Sequence, residues 1–102
     1  MINPQVLKQI KQMQEDIKKV QKQINESTFY GQAGGSVVKV AVKGTKEVVS
    51  IDIKKEEVDL TDLEMVQDLI VAALNDAFKK VDKETEESLG SVTQGVHMPG
   101  LF

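Results

Sequence analysis

The chain has 102 residues with 40% apolar and 28% charged side chains, the balance of one small folded domain. It contains no cysteine, which excludes disulfides, thiolate metal sites and a cysteine nucleophile. No apolar run approaches the ~18 residues of a membrane span and no signal-like apolar core opens the chain, so a cytoplasmic protein with no membrane partner is expected. The net charge of −3 hides an asymmetry: residues 1–54 carry nine lysines against five acids (+4), residues 55–102 four lysines against eleven (−7). All thirteen basic residues are lysine, so the guanidinium fork that reads guanine edges is missing.

Asn3 is a candidate N-cap and Pro4 suits a first helical turn, predicting a helix from Pro4 to about Ser27. Within it Val6, Ile10, Met13, Ile17, Val20 and Ile24 recur at gaps of 4, 3, 4, 3 and 4, a narrow seam of the kind that faces another helix. With Ile10, Ile17 and Ile24 at heptad position a, the lysines fall on the far side: Lys11 and Lys18 at b, Lys19 at c, Lys8 and Lys22 at f. Such a seam leaves two readings open, a stripe covering the chain's own sheet or one shared wholly or partly with a second chain. The heptad spacing favours the second, with Ile10, Met13, Ile17, Val20 and Ile24 at a dimer interface.

Thr28-Phe29-Tyr30 predicts a short strand, and Gly31, Gly34 and Gly35 a turn. Ser36 to Lys43 alternates, with Val38, Val40 and Val42 on one face and Lys39 and Lys43 on the other. After a Lys43-Gly44-Thr45-Lys46 turn, Glu47 to Ile53 alternates again, with Val49, Ile51 and Ile53 inward. The expected product is a three-stranded antiparallel meander with one wet face. Thr61 and Glu64 then form a T-x-x-E capping box, with Leu60 and Met65 as its staple. Leu63, Val66, Leu69, Ile70, Ala73, Leu74, Ala77, Phe78 and Val81 give a second helix a broad apolar stripe to cover the sheet. Its pattern thins through Asp82 to Glu87, and Gly90 is the expected stop. The chain thus divides into a single α-β-β-β-α domain over residues 1–90 and a flexible C-terminal tail over 91–102, an α+β class with a long helix at each end.

Several segments resemble the YbaB/EbfC family of nucleoid-associated proteins. They are the Lys8–Gln14 run K-Q-x-x-Q-M-Q, the glycine turn before Val37-Val38-Lys39-Val40, and the strand Val49-Ser50-Ile51-Asp52-Ile53. The helical Leu69–Lys80 segment L-I-V-A-A-L-N-D-A-F-K-K and the closing G-V-H-M-P-G-L-F complete the set. The resemblance covers nearly the whole chain. It implies an intertwined two-fold homodimer whose helices project as paired arms that bind double-stranded DNA, in a bacterial nucleoid or cytoplasmic setting. This sequence departs from the pattern in having no arginine on the arms.

The residues offer no catalytic constellation, so the protein is not expected to be an enzyme or to take a cofactor, metal or small-molecule substrate. The one histidine, His97, has no partner near it in sequence. Glu84, Glu86 and Glu87 lack the spacing of a calcium loop, and Gly31-Gln32-Ala33-Gly34-Gly35 lacks the lysine and hydroxyl of a phosphate loop. Asn75 and Asp76 stand either exposed or in a buried polar contact. The candidate DNA-binding residues are Lys8, Lys11, Lys18, Lys19 and Lys22 on the first helix and Lys79, Lys80 and Lys83 on the second. Two functions follow: a duplex-binding dimer of low sequence specificity that organises the nucleoid or affects gene expression, or a dimeric protein–protein adaptor without DNA binding. Charge balance favours the adaptor, and the family likeness favours DNA.

Overall fold

A computed structural model describes residues 3–93 and arranges them as α1 (Pro4–Glu26), β1 (Thr28–Ala33), β2 (Val38–Lys43), β3 (Val48–Ile53) and α2 (Leu63–Thr93). The expected α+β order is present. Asn3 caps α1 as anticipated, its Oδ1 accepting the Gln5 N–H at 2.9 Å, and Pro4 occupies the first turn. The second helix starts differently. Asp62, not Thr61, accepts from the helix, its Oδ1 taking the Met65 N–H at 3.2 Å. Thr61 is already engaged, donating its backbone N–H at 3.0 Å and its hydroxyl at 2.5 Å to Asp59 Oδ1. A carboxylate two residues back thus takes the hydroxyl that a capping box would have used. These two bonds, the hydroxyl's first, hold the Asp59 carboxyl below its ordinary pKa of 3.8.

At its far end α2 passes the expected stop at Gly90 and continues to Thr93. A helical glycine costs only about 1 kcal/mol relative to alanine, which neighbouring packing can offset. Ser91 and Val92 line a groove against α1, so this turn has such packing. Of the tail expected over 91–102, residues 91–93 belong to α2, and the rest, with His97 and the closing G-V-H-M-P-G-L-F, lies outside the described residues.

The sheet has the order β1-β2-β3, antiparallel throughout. β1 runs three residues further than the aromatic trio suggested, because Gly31 and Ala33 pair with Val40 and Val38. Val38, Val40 and Val42 face α2 and form the core with Ala73, Ala77 and Val81, all at 2% exposure or less. Burying one such valine contributes roughly 1.5–3 kcal/mol. Small residues bring the layers close: a Cβ on Gly31 would stand 2.2 Å from the Ala73 carbonyl oxygen and 2.6 Å from the Ala77 nitrogen. A Cβ on Gly44 would likewise overlap the Ile24 carbonyl. Gly44 therefore seats the end of α1 on the β2–β3 turn, where its N–H donates to the Ser27 carbonyl at 3.1 Å.

β3 departs from its alternation. Ile51 and Ile53 lie opposite Val40 and Val38 and so share the helix-facing side, yet Ile51 is 44% and Val49 53% exposed. α2 packs over β1 and β2 and leaves β3 uncovered. Val49 is additionally displaced by a bulge, since Ser50 pairs with Ala41 and Val48 with Val42. Periodicity reports which face a residue takes, and the helix position decides whether anything covers it.

Candidate nucleic-acid interface

The molecule measures 68 × 24 × 17 Å, with a radius of gyration of 19.4 Å against about 13 Å for a compact chain of this length. The excess length is an arm. α1, roughly 34 Å of helix, packs on α2 rather than across the sheet. Val20, Gln23 and Ile24 of α1 and Glu84, Ser88, Ser91 and Val92 of α2 line a groove of about 470 Å³ between the helices, with Ser27 and Phe29 beneath. Burial of the seam is graded: Ile24 is 4% exposed at the base, Ile10, Met13, Ile17 and Val20 are half-buried, and Val6 is 45% exposed. Part of the seam is therefore satisfied by α2 of the same chain.

Lys8, Lys11, Lys18, Lys19 and Lys22 are all exposed on α1. None takes part in the three ion pairs found among the described residues. Of the two acids that interrupt their face, Glu15 and Asp16, neither enters those ion pairs, and Asp16 accepts from Gln12 Nε2 at 3.0 Å. These ammonium groups thus keep their capacity for an external anion. Lys8 and Lys11 flank a shallow recess with Pro4, Gln5 and Leu7 near the start of the helix.

The α2 lysines are placed otherwise. Lys79 and Lys83 are exposed and unpaired, but the stretch that follows holds Glu84, Glu86 and Glu87. Lys80 is turned back to the sheet, donating to the Tyr30 carbonyl at 2.7 Å and standing 3.5 Å from Asp76. Asp76 in turn accepts the Gln32 N–H at 3.1 Å, which resolves its role as a cap on the outer edge of β1, while Asn75 is exposed. Spacing alone could not assign Asp76 and Lys80, because their partners lie 44 and 50 positions away. Lys46, which drew no attention in the sequence, ties the β2–β3 turn to α2 through Asp82 at 2.9 Å.

Among the described residues there is no metal-ligating cluster, no buried polar side chain and no helix long and apolar enough to cross a membrane. Fold and surface together define a small α+β protein with a basic helical arm. Residues 3–96 match the model of the YbaB/EbfC DNA-binding family, and the chain belongs to that non-enzymatic family. It is 44% identical over 97 residues to a nucleoid-associated protein of Alkaliphilus metalliredigens, covering 95% of this chain and 85% of the relative. A nucleoid-associated protein of Bacillus licheniformis is 52% identical over 80 residues, or 78% and 75% of the two chains. A crystal structure of an uncharacterized Helicobacter pylori protein shares the fold at a TM-score of 0.69 and 24% identity, covering 85% of this chain and 91% of that one.

Proposed function

We propose that this protein binds double-stranded DNA in the bacterial nucleoid through its lysine-bearing arm, touching phosphates and reading little sequence. One observation carries the reading: five α1 lysines stand exposed on a projecting helix with no intramolecular acid holding them. Family membership supports a nucleic acid as the polyanion. Lys79 and Lys83 extend the contact set toward the sheet, and Lys80 joins it by releasing the Tyr30 carbonyl. One arm offers a short track of charge, whereas two copies of the chain present a pair of arms that grip a duplex from two sides. The homodimer is part of the proposal.

Each neutralised phosphate releases condensed counterion, so a contact set of about six gives a log–log slope of affinity against salt near −5. Fluorescence anisotropy of a labelled duplex at several salt concentrations measures it. Replacing Lys18, Lys19 and Lys22 together with alanine flattens the slope by about 3 if all three touch phosphate. An unchanged slope places the contacts elsewhere. Unrelated duplexes compete almost equally, because lysine without arginine makes no bidentate contact to guanine. A preference of several kcal/mol for one site contradicts that mechanism. Absence of binding even at low salt returns the adaptor reading, which the acidic second half of the chain favours.

A further inference from the structure

The two helices of the arm run in opposite directions and end at different heights. α1 enters the sheet through Ser27, whereas α2 leaves the sheet after Val81. Ser91 and Val92 of α2 line the groove beside Val20 and Gln23 of α1, and the described course of α2 ends one residue later at Thr93. From that level α1 continues back to Pro4, about four further turns. Its apolar seam continues with it: Ile17, Met13 and Ile10 are half-buried, and Val6 and its neighbour Leu7 are 45% and 43% exposed. A helix segment this short gains little from its own backbone in water and is held by whatever covers its apolar stripe. The α1 lysines stand on the opposite face, so a duplex held by them leaves the stripe uncovered.

We infer that the chain's own closing segment covers this stripe, Val96 and Met98 lying on Met13 and Ile10, and Leu101 and Phe102 on Val6 and Leu7. Three features select the occupant. The segment starts in the right place, because residue 94 follows directly on the turn of α2 that packs beside Val20. It is long enough. Val20 back to Val6 is about 21 Å of helix, and residues 94–102 span up to about 30 Å when extended. Its composition matches: residues 94–102 include Val96, Met98, Leu101 and Phe102 and no lysine, aspartate or glutamate, although Glu84, Glu86 and Glu87 come shortly before. An uncharged apolar strip gains by leaving water against an apolar stripe and sets no charge beside it. The covered stripe braces the turns that carry Lys8 and Lys11. That consequence rests on the duplex reading above and gives the segment itself no contact to phosphate.

The chain has no cysteine, so a nitroxide carried by His97→Cys, the polar position between Val96 and Met98, marks the closing segment at one point. It is expected to broaden the NMR signals of Ile10 and Met13 and to leave those of Ile53, in the sheet, sharp. A second variant of the full chain, Leu101→Ser with Phe102→Ser, keeps every charge and the whole core. Its α1 amides from Leu7 to Met13 are expected to exchange with deuterium about tenfold faster, with those of Val40 and Val42 unchanged. The same variant is expected to bind duplex several-fold more weakly at an unchanged salt slope, because no phosphate contact is lost. Sharp Ile10 and Met13 signals in the labelled protein, or amide exchange that ignores the double substitution, overturn the inference. Broadening that persists when nitroxide and isotope label sit on different chains assigns the stripe to a second copy's segment and overturns it too. Duplex affinity unaltered in a variant with faster exchange overturns the bracing. A docked segment in a protein that ignores duplex at low salt sinks the DNA reading and leaves the docking standing.

Discussion

The sheet end and the arm end of this molecule share the same long helix but are held by very different packing. Over the sheet, α2 approaches so closely that Gly31 has room for no side chain, and six residues of the core are nearly or fully buried. Along the arm the α1 seam passes from a buried Ile24 to an exposed Val6, and its lysines make no ion pairs. Stability therefore resides at the sheet, and the arm is left with little to lose by meeting a ligand. Regions with few buried contacts open at low free-energy cost, which suits a segment that must adapt to an irregular polyanion.

Substitutions sharpen this contrast. Gly31→Val is expected to have the largest effect, because its Cβ would overlap the Ala73 carbonyl and force α2 off the sheet. A loss of more than about 4 kcal/mol is anticipated, read as failure to show a cooperative urea transition. A midpoint near that of the unmodified protein would show the close approach to be relaxed in solution. Val40→Ala removes two methyl groups from a site 2% exposed and is expected to cost about 2 kcal/mol. Ile17→Ala on the half-buried seam is expected to cost less than about 1 kcal/mol, since its side chain is partly hydrated already. Equal costs for the two would erase the division between base and arm.

The smallest effect concerns the entry to α2. Thr61→Val removes the hydroxyl that contributes most to depressing the Asp59 pKa, so that carboxyl is expected to titrate closer to 3.8 by NMR. A depressed folded-state pKa marks a stabilisation that is complete above the unfolded-state carboxyl pKa and vanishes as pH falls through the folded value. The variant is expected to lose that acid-side dependence. An Asp59 titration identical in both proteins would mean that the hydroxyl bond is not maintained in solution.

Much of the architecture could be read from local pattern. Alternation located β2 and β3, the Asn3-Pro4 start was correct to the residue, and the apolar stripe of Leu63 to Val81 anticipated the cover of the sheet. The misreadings share one cause. Thr61 lost its capping role to a nearby carboxylate, Gly90 was carried through by α2 packing against α1, and Ile51 remained open because α2 packs over β1 and β2 and stops short of β3. Each outcome depends on what lies beside a residue, which periodicity does not encode. For the lysines, the sequence put all eight candidates on helices. The structure separated Lys80, committed to the β1 edge, from the five on α1 that have no acid partner.

The amino-acid order by itself determined the elements, the hand of each amphipathic face and the uneven division of charge, because these follow from backbone periods of 2 and 3.6 residues. Only the tertiary arrangement decided which apolar face is covered, which sheet edge is closed and which ammonium groups are free. Those properties arise from contacts between residues far apart in the chain, such as Lys80 with Tyr30 and Asp76 with Gln32. A short-range pattern holds no record of them.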